Sequence, residues 1–203
     1  MINFPQIGKM APNFLTLGVY KKRLGKIRLS DYHGKKYVIL IFYPANFTSI
    51  SPTELNKLSD RISEFKKLST QILAISSDSP FSHLHYLLLK RNQGGLNHLN
   101  YPLISDSTKT ITHTYNLLTD DGLSFPGLFI LDKEGIIQYY TVNNLLCGRS
   151  VNELIRILQS IQYVKENPGQ ACPVDWKLGE QTLNSHPLKS KYYFKNLYSQ
   201  KNN

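Results

Sequence analysis

Tyr37-Val-Ile-Leu-Ile-Phe-Tyr43, then Pro44-Ala-Asn-Phe-Thr48-Ser-Ile, then Ser51-Pro52-Thr53-Glu54-Leu55 is the stretch on which the fold turns. The first run is apolar, rich in β-branched and aromatic residues, and strand-length, so it predicts a strand buried on both faces. Pro44, with no backbone N–H, stops the run. Ser51-Pro52-Thr53-Glu54 then predicts a helix start. Serine serves as the cap, proline suits the first helical position, and a glutamate three residues after the cap closes a capping box. Such a cap contributes about 1 kcal/mol. Leu55, Leu58, Ile62 and Phe65 follow at helical spacing, with Lys57, Asp60 and Arg61 on other faces.

Working outward, Thr70–Ser76 reads as the next strand and His83–Arg91 as a helix ended by Gly94-Gly95. Tyr101–Ser105 predicts a short strand and Lys109–Leu118 a short helix. Gly127–Leu131 and Ile136–Val142 flank Asp132-Lys-Glu-Gly135, a hairpin whose glycine supplies the left-handed position. Val151, Leu154, Ile155, Leu158 and Ile161 form a helical stripe suited to lying on a sheet. From Glu166 on, with Pro168, Pro173 and Pro187, the chain reads as an extended arm. The expected fold is α/β and thioredoxin-like: a central mixed sheet flanked by helices. Residues 1–165 form the domain and residues 166–203 the arm.

The chain has 203 residues, 41% hydrophobic and 19% charged, which fits a globular domain able to bury a core. No apolar run is long enough to span a bilayer. The first residues carry neither a signal-peptide pattern nor an Arg/Ser-rich amphipathic lead, so the protein is expected to act where it is made. Cys147 and Cys172 are too few for a disulfide framework and lack metal-ligand spacing, and a reducing compartment is the natural reading. His83 and His85 stand two apart on different faces of a helix and read as packing or surface residues. Neither a metal nor a cofactor is expected.

The formal net charge of +10 favours anionic surroundings. Its lysines and arginines read as scattered, apart from Lys189, Lys191, Lys195 and Lys201 in the tail. No zinc-finger, RRM or helix-turn-helix signature accompanies them, so no specific nucleic-acid partner is expected.

The loop Pro44-Ala-Asn-Phe-Thr48-Ser-Ile-Ser51-Pro52-Thr53-Glu54 resembles the active-site loop of the typical 2-Cys peroxiredoxins, Pro-x-x-x-Thr-x-x-Cys, with Ser51 in the cysteine's place. Ala11-Pro12-Asn13-Phe14, Leu29-Ser30-Asp31-Tyr32, Ser77-Asp78-Ser79, Gly94-Gly95-Leu96 and Gly148-Arg149-Ser150-Val151 resemble further landmarks of that family. Ala171-Cys172-Pro173 with Trp176-Lys177 resembles the resolving-cysteine motif, and Tyr193-Phe194 the family's tail. The overall likeness is greatest to plastid-encoded peroxiredoxins of red algae.

The resemblance implies a thioredoxin-dependent peroxidase that reduces hydrogen peroxide and organic hydroperoxides. In that chemistry a thiolate at a helix N-terminus attacks the peroxide O–O bond and becomes a sulfenic acid. A resolving cysteine of the partner subunit condenses with it to a disulfide, and thioredoxin reduces the disulfide. Carried over by position, Ser51 marks the peroxidatic site, Cys172 the resolving one, and Pro44, Thr48 and Arg149 the peroxide pocket. Two members depart: Ser51 cannot cycle through a sulfenic acid, and Phe125-Pro126-Gly127 carries proline where the family has an arginine. A cysteine-to-serine change made by design would leave that arginine in place, so Pro126 points to natural divergence.

Three functions stay open. One is the family peroxidase, impaired by these losses. Another is a non-catalytic subunit or chaperone-type scaffold. The third is a basic binder of nucleic acid or membrane surfaces. The resemblance further implies a homodimer, with rings of dimers as the higher assembly. Its location would be the plastid stroma, or else a bacterial-type cytoplasm.

Overall fold

The computed structural model describes residues 5–199, which form two compact units divided in the chain between Val151 and Asn152. The first unit holds strands β1 (Leu15–Tyr20), β2 (Arg23–Arg28), β3 (Tyr37–Phe42), β4 (Thr70–Ser76), β5 (Leu103–Ser105), β6 (Gly127–Leu131) and β7 (Ile137–Val142). They make one sheet in the order β2-β1-β5-β4-β3-β6-β7. The helices of this unit are α1 (Ser51–Asp60), α2 (Ile62–Lys67), α3 (Pro80–Tyr86) and α4 (Thr110–Thr114). β3, β4 and β5 run parallel, while β1, β6 and β7 close the sheet antiparallel. This is the mixed, thioredoxin-like sheet that the strand and helix order predicts.

β3 lies inside the sheet, between β4 and β6, and every one of its six residues is buried. Val38, Leu40 and Phe42 point to one face and join Leu73, Ile75 and Phe129 in a core cluster. Ile39 and Ile41, at the alternate positions, are buried on the other face. Each such side chain contributes about 2 kcal/mol relative to exposure. The rings of Phe42, Tyr115 and Phe129 pack with centroids 5.1, 6.0 and 5.0 Å apart.

The predicted hairpin is present, with Gly135 at φ +81° and the Asp132 Oδ1 accepting from the N–H groups of Glu134 and Ile136. α3 begins earlier than the pattern indicates. Ser79 caps it by accepting from Ser82 N, Pro80 follows, and the helix ends at Tyr86. α4 is shorter than expected because it is short in local propensity. Its start is held by the buried Asp106, whose carboxylate accepts from Ile111 N and Thr112 N, and Asn116 turns left-handed just after it.

The β1–β2 hairpin was not indicated by the sequence pattern. Its turn residues Lys21 and Lys22 both have positive φ, at 50° and 61°, in a turn where Asn-Gly is the usual signal.

The second unit contains α5 (Val151–Glu166) from Asn152 onward, β8 (Gln170–Ala171), β9 (Leu183–Asn184) and α6 (Pro187–Ser199). Along α5, Leu154, Ile155 and Leu158 are buried, as their helical spacing predicts. Trp176 is fully buried beside Tyr163, with ring centroids 5.0 Å apart, and donates from Nε1 to the Glu180 carbonyl. Within the arm, β8 and β9 pair antiparallel and α6 adds a helix that the sequence pattern did not indicate.

Candidate active site

Pro44 ends β3, and the loop that follows delivers Ser51 to the first residue of α1. Ser51 is buried, and its Oγ lies 2.5 Å from Thr48 Oγ1. Thr48 donates its hydroxyl hydrogen to the Ala45 carbonyl at 3.1 Å, so the Ser51 hydroxyl is the donor between the two. Pro44 is half-buried and ends the ladder one residue after Tyr43 N donates to the Ile75 carbonyl.

The capping-box reading of Ser51 and Glu54 does not hold. Ile50 is the cap residue, and its carbonyl accepts from Thr53 N, Glu54 N and Thr53 Oγ1. The Ser51 hydroxyl turns back to Thr48 instead of forward along the helix. The Glu54 carboxylate is claimed by a stronger partner, the Arg149 guanidinium, because a charge-assisted pair outcompetes a neutral backbone N–H.

That ion pair is buried on both sides. Arg149 Nη2 lies 2.6 Å from Glu54 Oε2 and Nε 2.9 Å from Oε1, with side chains 9% and 8% exposed. Arg149 Nη1 donates to two carbonyls, Phe42 at 3.0 Å and Gly127 at 2.7 Å. Its backbone N–H also donates to Glu54 Oε1. One guanidinium thus ties the start of α1 to the end of β3 and the start of β6. A Cβ at Gly148 would sit 3.7 Å from Ile50, so the loop bearing Arg149 lies directly against the entry to α1.

The structure adds a second anchor that sequence reasoning missed. Asn46 N donates to Asp78 Oδ2 at 2.7 Å, Asn46 Nδ2 donates to Ser82 Oγ at 2.8 Å, and Tyr43 OH donates to Asn46 Oδ1 at 2.9 Å. His83, fully buried, donates from Nε2 to the Ile104 carbonyl at 3.1 Å. That leaves Nδ1 as acceptor, 3.1 Å from Asn46 Nδ2. His83 is therefore a pin for the loop rather than a packing residue. Asn46 three residues after Tyr43 in a strand-ending loop was the only available signal, and it is a weak one. Phe47, at φ 60°, stacks its ring edge on Tyr86 with centroids 4.7 Å apart.

Burial holds the His83 pKa below its ordinary value of 6.5, opposed by the nearby Asp78 charge and the Ile104 carbonyl. As pH falls below 6.5 the unfolded chain takes up a proton that the folded one refuses. The contribution of neutral His83 is therefore present above that value and lost on acidification, by up to about 1.4 kcal/mol per pH unit. We expect the urea midpoint to fall between neutrality and about pH 5, and a His83→Asn variant to be less stable at neutrality but flatter with pH. An unchanged acid slope in that variant would contradict the assignment.

At position 126 the structure has a buried proline whose carbonyl accepts from Asn143 N at 3.0 Å. It supplies neither charge nor donor. Cys147 is exposed on the loop before Arg149, while Cys172, in the second unit, is half-buried with Sγ 4.0 Å from the Ser160 carbonyl. Burial pushes the Cys172 thiol up from its ordinary pKa. Near neutrality iodoacetamide should therefore modify Cys147 first. Peptide mass spectrometry checks this, with Cys147→Ser removing the fast phase. Faster labelling of Cys172 would contradict it.

A thioredoxin-like sheet, a Pro-x-x-x-Thr loop opening a helix at residue 51, and an Arg149–Glu54 clamp beneath it define a peroxiredoxin-type protein. The AhpC/TSA family matches residues 7–140, and the C-terminal domain of 1-Cys peroxiredoxin matches residues 160–196. The chain belongs to the AhpC/TSA family and is a peroxiredoxin of the typical 2-Cys kind. It is 78% identical to putative peroxiredoxin ycf42 of Trieres chinensis, over 99% of this chain and 98% of that one. It is 52% identical to the chloroplastic 2-cysteine peroxiredoxin of Chattonella marina var. antiqua, over 93% and 97% of the two chains. Among solved structures, reduced 2-Cys peroxiredoxin of Plasmodium vivax is similar with a TM-score of 0.90 and 35% identity, covering 93% of this chain and 97% of that one.

Proposed function

We propose that this chain is a peroxiredoxin that has kept its scaffold and lost its own peroxidatic step. The observation that carries the reading is the Ser51 hydroxyl, buried at the N-terminus of α1 and donating to Thr48. A serine hydroxyl stays protonated near neutrality, and oxygen cannot form the sulfenic acid on which the cycle depends. Pro126 supports the same reading, since the peroxide's developing charge would lack a fixed cationic donor there. Arg149 is committed to Glu54 and two carbonyls, so it serves as a positioning residue that holds Pro44, Thr48 and Ser51 in place.

In this reading residues 1–165 are the peroxiredoxin domain and residues 166–203 the arm that presents Cys172. The protein is a homodimer, and its natural setting is the plastid stroma, in keeping with chloroplastic relatives. Cys172, left without a thiol at position 51, is a resolving cysteine with nothing to resolve in a dimer of this chain alone. Pairing with a catalytically complete peroxiredoxin subunit would give it a partner, which favours the non-catalytic subunit among the open functions.

The test is peroxide consumption by the unmodified chain coupled to thioredoxin, its reductase and NADPH. The expected rate equals that of a Cys147→Ser/Cys172→Ser blank. A thioredoxin-dependent rate well above the blank would overturn the proposal.

A further inference from the structure

Half of the net charge of +10 comes from one short segment that composition alone disguises as scatter. Lys21, Lys22, Arg23, Lys26 and Arg28 fall within eight consecutive positions, and no acid occurs between Leu15 and Ser30. The fold gathers them on the β1–β2 hairpin, whose outer strand β2 is the last in the sheet. None of the five pairs with a carboxylate among the described residues.

The register shows what accompanies the charge. Leu15 stands opposite Arg28, Leu17 opposite Lys26 and Val19 opposite Leu24, and cross-strand partners share a face. On that face Leu15, Leu17 and Leu24 are 51%, 46% and 46% exposed. Lys21 and Lys22 extend the cationic rim around the turn in left-handed backbone, a conformation that disfavours lysine. The surface therefore combines exposed leucines with cations that no carboxylate neutralises, Lys21 lying over the Tyr20 ring at 5.5 Å.

We propose that the β1–β2 hairpin docks on anionic lipid bilayers. Cations on the rim are attracted to anionic headgroups, and the three leucines enter the boundary between headgroups and acyl chains. A phosphate backbone of nucleic acid would use the cations but leave the leucines without a role. No helix among the described residues is long and apolar enough to cross a membrane, so the association is peripheral.

The test is sedimentation of the full chain with phosphatidylcholine vesicles and with vesicles in which one lipid in three is phosphatidylglycerol. Binding is expected only to the anionic vesicles and should weaken with added salt. The Lys21→Gln/Lys22→Gln variant should bind roughly thirtyfold more weakly, about fivefold per charge. The Leu17→Ser/Leu24→Ser variant should also bind more weakly while keeping the salt dependence of the native chain. Unchanged melting profiles confirm that both variants are folded. Equal binding to neutral vesicles, no binding to either, or native affinity in the lysine variant (which keeps the tail lysines) would overturn the proposal. So would retention on duplex DNA matching that on anionic vesicles with no effect of the leucine changes.

Discussion

A Ser51→Cys/Pro126→Arg variant should reduce hydrogen peroxide with thioredoxin, whereas the unmodified chain should not. The cysteine would occupy the first residue of α1, where the positive end of the helix dipole lowers a thiol's pKa from about 8.5 toward the acidic range. Its thiolate would break the O–O bond, taking up the near oxygen as a sulfenic acid and releasing water or an alcohol. Condensation with a Cys172 thiol would release a second water and leave a disulfide, visible as a covalent dimer on a non-reducing gel. Ser51→Cys alone should turn over more slowly, by about a hundredfold to a thousandfold, the usual cost of one missing charge-stabilising donor. Pro126→Arg alone should stay at background, because a donor cannot replace a nucleophile. Peroxide-dependent NADPH oxidation by all four proteins measures this order. An active Pro126→Arg single variant would show that residue 51 is not where the chemistry was lost.

Breaking the clamp should have the largest effect on stability. Glu54→Leu leaves the Arg149 guanidinium buried without its counter-charge, and Arg149→Leu leaves the Glu54 carboxylate likewise. Removing one partner of such a pair costs about 3–5 kcal/mol. For a chain of this size that corresponds to a melting temperature lower by about 10 °C. The double variant Glu54→Leu/Arg149→Leu should be less damaged than the sum of its parts, since no lone charge remains. Arg149→Leu also frees the Phe42 and Gly127 carbonyls, so it should be the worse of the single changes. Urea unfolding of the three variants gives the comparison. Additive losses would mean that the two residues stabilise the fold independently.

Much of this architecture is legible in the sequence alone. The largely apolar runs at Tyr37–Tyr43, Thr70–Ser76 and Gly127–Leu131 became β3, β4 and β6, because five to seven mostly apolar residues in a row leave little choice of place. The Pro44, Thr48 and Ser51 spacing marked a short loop between a proline-ended strand and a proline-started helix, and β3 and α1 bracket that loop. Side-chain partnerships were less visible. Ser51 and Glu54 satisfy a local capping rule in sequence, yet Glu54 is taken by Arg149, 95 positions away, and a long-range charge pair leaves no periodic trace. Asn46, Asp78 and His83 meet for the same reason. The β1–β2 hairpin escaped because Gly18 and Gly25 interrupt its apolar alternation and two lysines occupy the turn.

Peptide mass spectrometry of the unmodified chain after stoichiometric hydrogen peroxide, alongside Ser51→Cys, tests the central claim most directly. The account predicts no added oxygen and no cross-link at residue 51 in the unmodified chain. In Ser51→Cys it predicts a sulfenic acid at residue 51 or a 51–172 disulfide. Thioredoxin-reversible oxidation of the unmodified chain, at a rate comparable to that of Ser51→Cys, would contradict it.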